Sequence, residues 1–142
     1  MPIFILIATL FLNSNIFAHP GDLFYKKGFS YQKKKQYSKA ISFYRSAAKL
    51  KHPQALSSLG RMYLLGLGTE MDHKLGIDTI TLAANLNYLP AQLSLAQICR
   101  DGLFEQAIDL HCARRWYQSA FLLSADPDEK KAIQYILENI PR

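Results

Sequence analysis

Residues 55–91 read ALSSLGRMYLLGLGTEMDHKLGIDTITLAANLNYLPA, and this stretch decides the fold. Ala55, Leu59, Gly60 and Tyr63 fall at helical spacing and so line one face of a helix. Gly66-Leu67-Gly68 then opens a loop, because glycine accepts the positive φ at which helices end. Gly76, Ile80, Ala83 and Ala84 follow at i, i+4, i+7 and i+8, the stripe of a second helix. The small residues in both stripes mark where two backbones approach closely. The unit is a helical hairpin that cannot bury its apolar face alone.

The same unit recurs on either side. Ala40, Tyr44, Ala47 and Ala48 lie 36 residues before the second-helix set, and Ala113, Tyr117, Ala120 and Phe121 lie 37 after it. The first-helix set recurs 36 residues on as Ala91, Leu95, Ala96 and Cys99, and 32 residues back as Leu23, Lys27, Gly28 and Tyr31. The shorter offset reflects a shorter first turn. These repeats predict helices over 22–33, 37–51, 54–65, 73–87, 89–101 and 109–124. A seventh, 127–139, opens on Asp126-Pro127-Asp128-Glu129: a cap, a proline at the first position and a Glu to complete a capping box. The expected fold is all-α, an α-solenoid of about three antiparallel helix pairs (about 22–52, 54–88 and 89–125) with a C-terminal capping helix in 126–142.

The middle unit resembles the Sel1-like repeat, a tetratricopeptide-like family. It matches that pattern at Ala55, Leu59, Gly60, Tyr63, Gly66, Gly68, Asp72, Ala83, Ala84 and Ala91. It departs from it at Leu75-Gly76, where the family has Lys-Ala, and at Ile80, near an aromatic position. The first unit looks more like a tetratricopeptide unit, through Phe24, Gly28, Tyr31, Ala40, Tyr44 and Ala47. The third is degenerate, with Phe104 where the second loop glycine should stand. The resemblance implies an interaction scaffold rather than an enzyme.

Composition agrees with helices. The chain has 21 Leu, 15 Ala and 12 Ile among 142 residues, no Val and only 4 Thr, a balance that argues against a sandwich or barrel. Its net charge of +6 is unevenly spread. Nine Lys and Arg precede residue 52 against Asp22 alone, whereas acids exceed bases beyond it. The densest part is Lys33, Lys34, Lys35 and Lys39. Such a patch suits an acidic protein or peptide, or an anionic membrane surface. Nucleic acid is not expected, because the chain carries an export signal.

That signal is the apolar run IFILIATLFL at 3–12, too short to span a bilayer, which needs about 20 residues. Ala18 supplies the small residue before a cleavage site, so 1–18 reads as a signal peptide and 19–142 as the mature repeat domain in the periplasm or secreted. No Lys or Arg precedes residue 26, which departs from the usual signal; an uncleaved anchor or a buried N-terminal helix are the alternatives. In an oxidising compartment Cys99 and Cys112 can pair across a helical hairpin, or remain two buried thiols. Secreted Sel1-like proteins carry one such pair per repeat, whereas this chain has one in total.

No zinc-protease helix, nucleophile elbow or phosphate loop is present, so no catalytic residue and no cofactor is expected. His52 and His73 read as surface residues at helix ends, and His111 beside Cys112 and Asp109 fits no standard zinc spacing, so no metal is expected. His19 would become an amino-terminal histidine after cleavage, a group copper can use, though nothing else points that way. In this architecture the first helix of each pair lines the concave face. Its off-stripe positions are Lys26, Phe29 and Lys33, then Ser58, Arg61 and Leu65, then Ser94, Gln97 and Asp101. The expected function is an exported, non-catalytic module that holds a protein or peptide there. The alternative is a small secreted enzyme or ligand-binder acting on a β-lactam or peptidoglycan fragment, as the resemblance implies for some relatives.

Overall fold

In the computed structural model, which describes residues 18–141, seven helices follow one another with no strand among the described residues. They are α1 (Asp22–Lys33), α2 (Tyr37–Lys49), α3 (Pro53–Leu65), α4 (His73–Asn85), α5 (Leu89–Asp101), α6 (Leu110–Leu123) and α7 (Pro127–Asn139). Each expected helix is present, and the ends shift by two residues at most. α2 and α4 stop short because Lys51 and Asn87 turn left-handed, each with φ 58°. The expected signal segment, apart from Ala18, lies outside the described residues.

Three connected apolar clusters form the core, and each joins helices of neighbouring pairs. Tyr44, Ala47, Leu59 and Met62 lead the first, Leu64, Ile80, Ala84 and Leu95 the second, and Ala96, Ala113, Tyr117 and Ile133 the third. The repeat stripes are therefore the buried residues, as stacking units require. Within the middle pair, α3 and α4 cross at Gly60 and Gly76. A Cβ on Gly60 would stand 2.8 Å from the Gly76 carbonyl oxygen, and one on Gly76 2.9 Å from that of Gly60. The same crossing in the third pair is made by Ala96 and Ala113, both fully buried.

The turns are capped from the sequence. Gly66 and Gly102 end α3 and α5 in left-handed conformation, and Asp72 and Asp109 accept the Leu75 and Cys112 amides at the starts of α4 and α6. Gln36, in the corresponding place before α2, makes no such bond. Two expectations are corrected. Asp126 caps α7 through the Asp128 amide, but Glu129 accepts from the Ser124 hydroxyl at 2.6 Å instead of closing a capping box. His52 is not a surface residue: it is 1% exposed and caps α3 through the Ala55 amide.

Candidate functional site

The middle and third pairs build a cleft of about 210 Å³ between α3 and α5. Its walls are apolar: Leu64, Leu65, Ile80, Leu103 and Phe104. Its rim is polar, formed by Arg61, Ser94 and Gln97. A smaller hollow adjoins it, where Gln32 of α1 meets Ser58, Arg61 and Leu65. Arg61 belongs to both, is exposed, and makes no ion pair or side-chain hydrogen bond among the described residues. A guanidinium on an apolar cleft without a partner is suited to receive a carboxylate.

Five of the nine expected binding residues thus come together: Ser58, Arg61, Leu65, Ser94 and Gln97. Four do not line these cavities. Asp101 is engaged by Arg100, whose Nε and Nη2 donate to its two carboxylate oxygens at 2.7 and 2.8 Å. That guanidinium holds the Asp101 carboxyl below its usual range. Lys26 is exposed, and Lys33 places its ammonium 5.0 Å from the centre of the Phe29 ring. In the first repeat it is Gln32, fixed by the Tyr44 hydroxyl at 2.5 Å, that reaches the site. Burial pushes that Tyr44 hydroxyl up to about 12, so it remains a donor.

Leu103 and Phe104 were not expected in the site. Phe104 stands 36 residues after Gly68 and repeats its backbone: φ is 73° at Gly68 and 56° at Phe104. Glycine accepts that conformation without cost, whereas a bulky residue is strained there. Gly68 is required in its own loop, because a Cβ would lie 2.5 Å from the Tyr37 carbonyl carbon. At Phe104 the strain accompanies an aromatic wall, packed on the second cluster and 5.5 Å from the His73 ring. The residue that made the third repeat read as degenerate is the one that shapes the cleft.

The basic patch is a separate surface. Lys33, Lys34, Lys35 and Lys39 are exposed around the α1–α2 turn, and none forms a salt bridge among the described residues. Lys39 sits 5.5 Å from the Tyr31 ring, which stacks on Phe43 at 5.3 Å. Cys99 and Cys112 are at bonding distance, with Cα atoms 5.8 Å apart, and join the end of α5 to the start of α6. The Asp109 carboxylate beside them is used as a helix cap. Among the described residues, no three His, Cys, Asp or Glu side chains converge on a metal position. No helix there is long and apolar enough to cross a membrane.

No family model matches the chain, and no curated protein matches it. Among solved structures, it is similar to the crystal structure of a Sel1 repeat protein from Oxalobacter formigenes, with a TM-score of 0.72 and 24% identity. The likeness covers 92% of this chain and 52% of that one, so the chain spans about half the length of this neighbour. Three stacked hairpins, the glycine ends of α3 and α5 and this likeness together make the fold that of a Sel1-repeat α-solenoid.

Proposed function

We propose that the chain is an exported, non-catalytic interaction module that holds an acidic protein or peptide segment in the α3–α5 cleft. The single observation that carries this reading is the unpaired Arg61 on the rim of an apolar cleft of about 210 Å³. Such a cleft admits one large apolar side chain, while Arg61 takes a neighbouring carboxylate and Ser94 and Gln97 offer hydrogen bonds to the backbone. The Phe104 ring, set as a wall of the cleft in place of the equivalent loop glycine, supports the same reading. The lysines of the first repeat raise the encounter rate of an acidic partner without fixing its pose. Export is supported by the paired cysteines and by the apolar run at 3–12.

Selection from a random peptide library on the immobilised mature chain tests this. Enriched peptides should combine an Asp or Glu with a nearby large apolar residue, and Arg61→Glu should weaken them by about tenfold or more. Enrichment that is indifferent to both Arg61→Glu and Phe104→Ala would overturn the cleft as the site.

A further inference from the structure

Among the described residues, the first tied into the fold is His19, and its ties converge on one carboxylate. The His19 backbone N–H donates to Asp22 Oδ2 at 3.0 Å, and the His19 carbonyl accepts the Asp22 N–H at 2.8 Å. The His19 Nδ1 accepts the Gly21 N–H at 3.0 Å, and its ring meets the buried His52 ring edge-on, 4.8 Å between centres. The other oxygen of Asp22 lies 2.9 Å from His52 Nε2. Because His52 Nδ1 accepts the Ala55 amide, Nε2 carries the proton and donates it to Asp22. Tyr25 stacks on the His52 ring, 4.8 Å between centres. Ala18, one residue earlier, is exposed.

We propose that the Ala18–His19 bond is a proteolytic processing site, and that the amine it frees becomes part of this cluster. The proposal rests on the export reading above. Hydrolysis adds water across the amide: Ala18 leaves as a carboxylate, and the His19 nitrogen becomes an amine that takes up a proton. That nitrogen already sits on Asp22, so processing replaces a neutral N–H donor with an ammonium and requires no movement. The new bond is charge-assisted, and such bonds are stronger than neutral ones. The charged and titratable groups around it are Asp22, the His19 and His52 imidazoles, whose Nδ1 atoms accept backbone N–H groups, and, one turn along α1, Lys26; the Tyr25 hydroxyl belongs to the neighbouring stacked ring. An ammonium before the first turn of α1 opposes the helix dipole, and the Asp22 carboxylate is what offsets this. Since Asp22 also holds His52, and His52 caps α3, the freed amine fastens the start of the chain to the second repeat.

The test compares three disulfide-bonded chains: one beginning at His19, the same chain Nα-acetylated, and one retaining Ala18. At about pH 6 the His19-first chain should melt highest, by about 2–8 °C. That advantage should vanish above about pH 9, where an α-amine is uncharged, and in Asp22→Asn. Equal melting of the three chains at about pH 6, or an advantage that survives Asp22→Asn, overturns the amine clamp. The intact mass of protein recovered from cells expressing the full sequence should begin at His19. A start at another residue, or recovery of the unprocessed 142-residue chain from outside the cytoplasm, overturns the processing site, whereas recovery of the chain only inside the cytoplasm overturns the export reading itself.

Discussion

Among single residues, His52 and Phe104 are the side chains that carry predictions. His52 precedes a proline-opened helix, and from sequence alone a histidine there reads as surface. Its burial is decided by Asp22, 30 residues away, and by the Tyr25 ring, neither of which periodicity reveals. The His52 N–H is the main reason the Asp22 carboxyl lies below its ordinary value. A carboxyl depressed in the folded state stabilises the fold above its unfolded value, about 3.9, and that contribution is lost as pH falls through the folded value. Wild type should therefore lose stability below about pH 4 more steeply than Asp22→Asn, and thermal melts between about pH 3 and 6 measure the difference. Phe104 is the second case. Phe104→Gly relieves the left-handed backbone but removes a cleft wall, so the folded chain should persist while captured peptides dissociate. Retention of peptide binding with an unchanged melting temperature would show that Phe104 serves neither purpose.

At the scale of elements the sequence was most informative. The repeat register placed six helices, and the Asp126-Pro127 start signal the seventh, because i, i+4, i+7 stripes are physical requirements of stacking, and small residues are required where α3 crosses α4. Of the concave-face positions it named, Ser58, Arg61, Leu65, Ser94 and Gln97 line the two cavities. Lys26, Phe29, Lys33 and Asp101 do not line them, since the cleft is enclosed by α3, α5, Ile80 of α4 and the loop after α5, and α1 contributes only Gln32, to the adjoining hollow. Repeat equivalence itself yields a prediction. Asp72 and Asp109 cap their helices, whereas Gln36 does not, so Gln36→Asp should stabilise the chain by about 0.5–2 kcal/mol, read from urea denaturation. The Cys99–Cys112 connection closes a short loop across the third hairpin. Reduction, or Cys99→Ser, should cost about 3 kcal/mol, and the wild-type chain should show its two thiols only after reductant is added.

Across the molecule the two ends differ. The last helix covers the third cluster with Ile133 and turns Lys131, Gln134 and Glu138 outward, as a cap must. Arg114 of α6 fastens it by donating to the Leu137 and Ile140 carbonyls at 3.1 and 2.7 Å. The first helix instead presents exposed Lys26, Lys27 and Lys33 beside Leu23 and Phe29, so the array is polar and mixed at one end and basic at the other. The overall charge of +6 is thus a property of one end, while the cleft lies in the middle. Docking at the cleft is tested most directly by a photo-crosslinking residue placed either at Ser94 or at Lys131 in the tagged protein within its own cells. The Ser94 probe should give a discrete protein adduct that Arg61→Glu abolishes, and the Lys131 probe should give none. Identical adducts from both positions, or a Ser94 adduct untouched by Arg61→Glu, would contradict docking at the cleft.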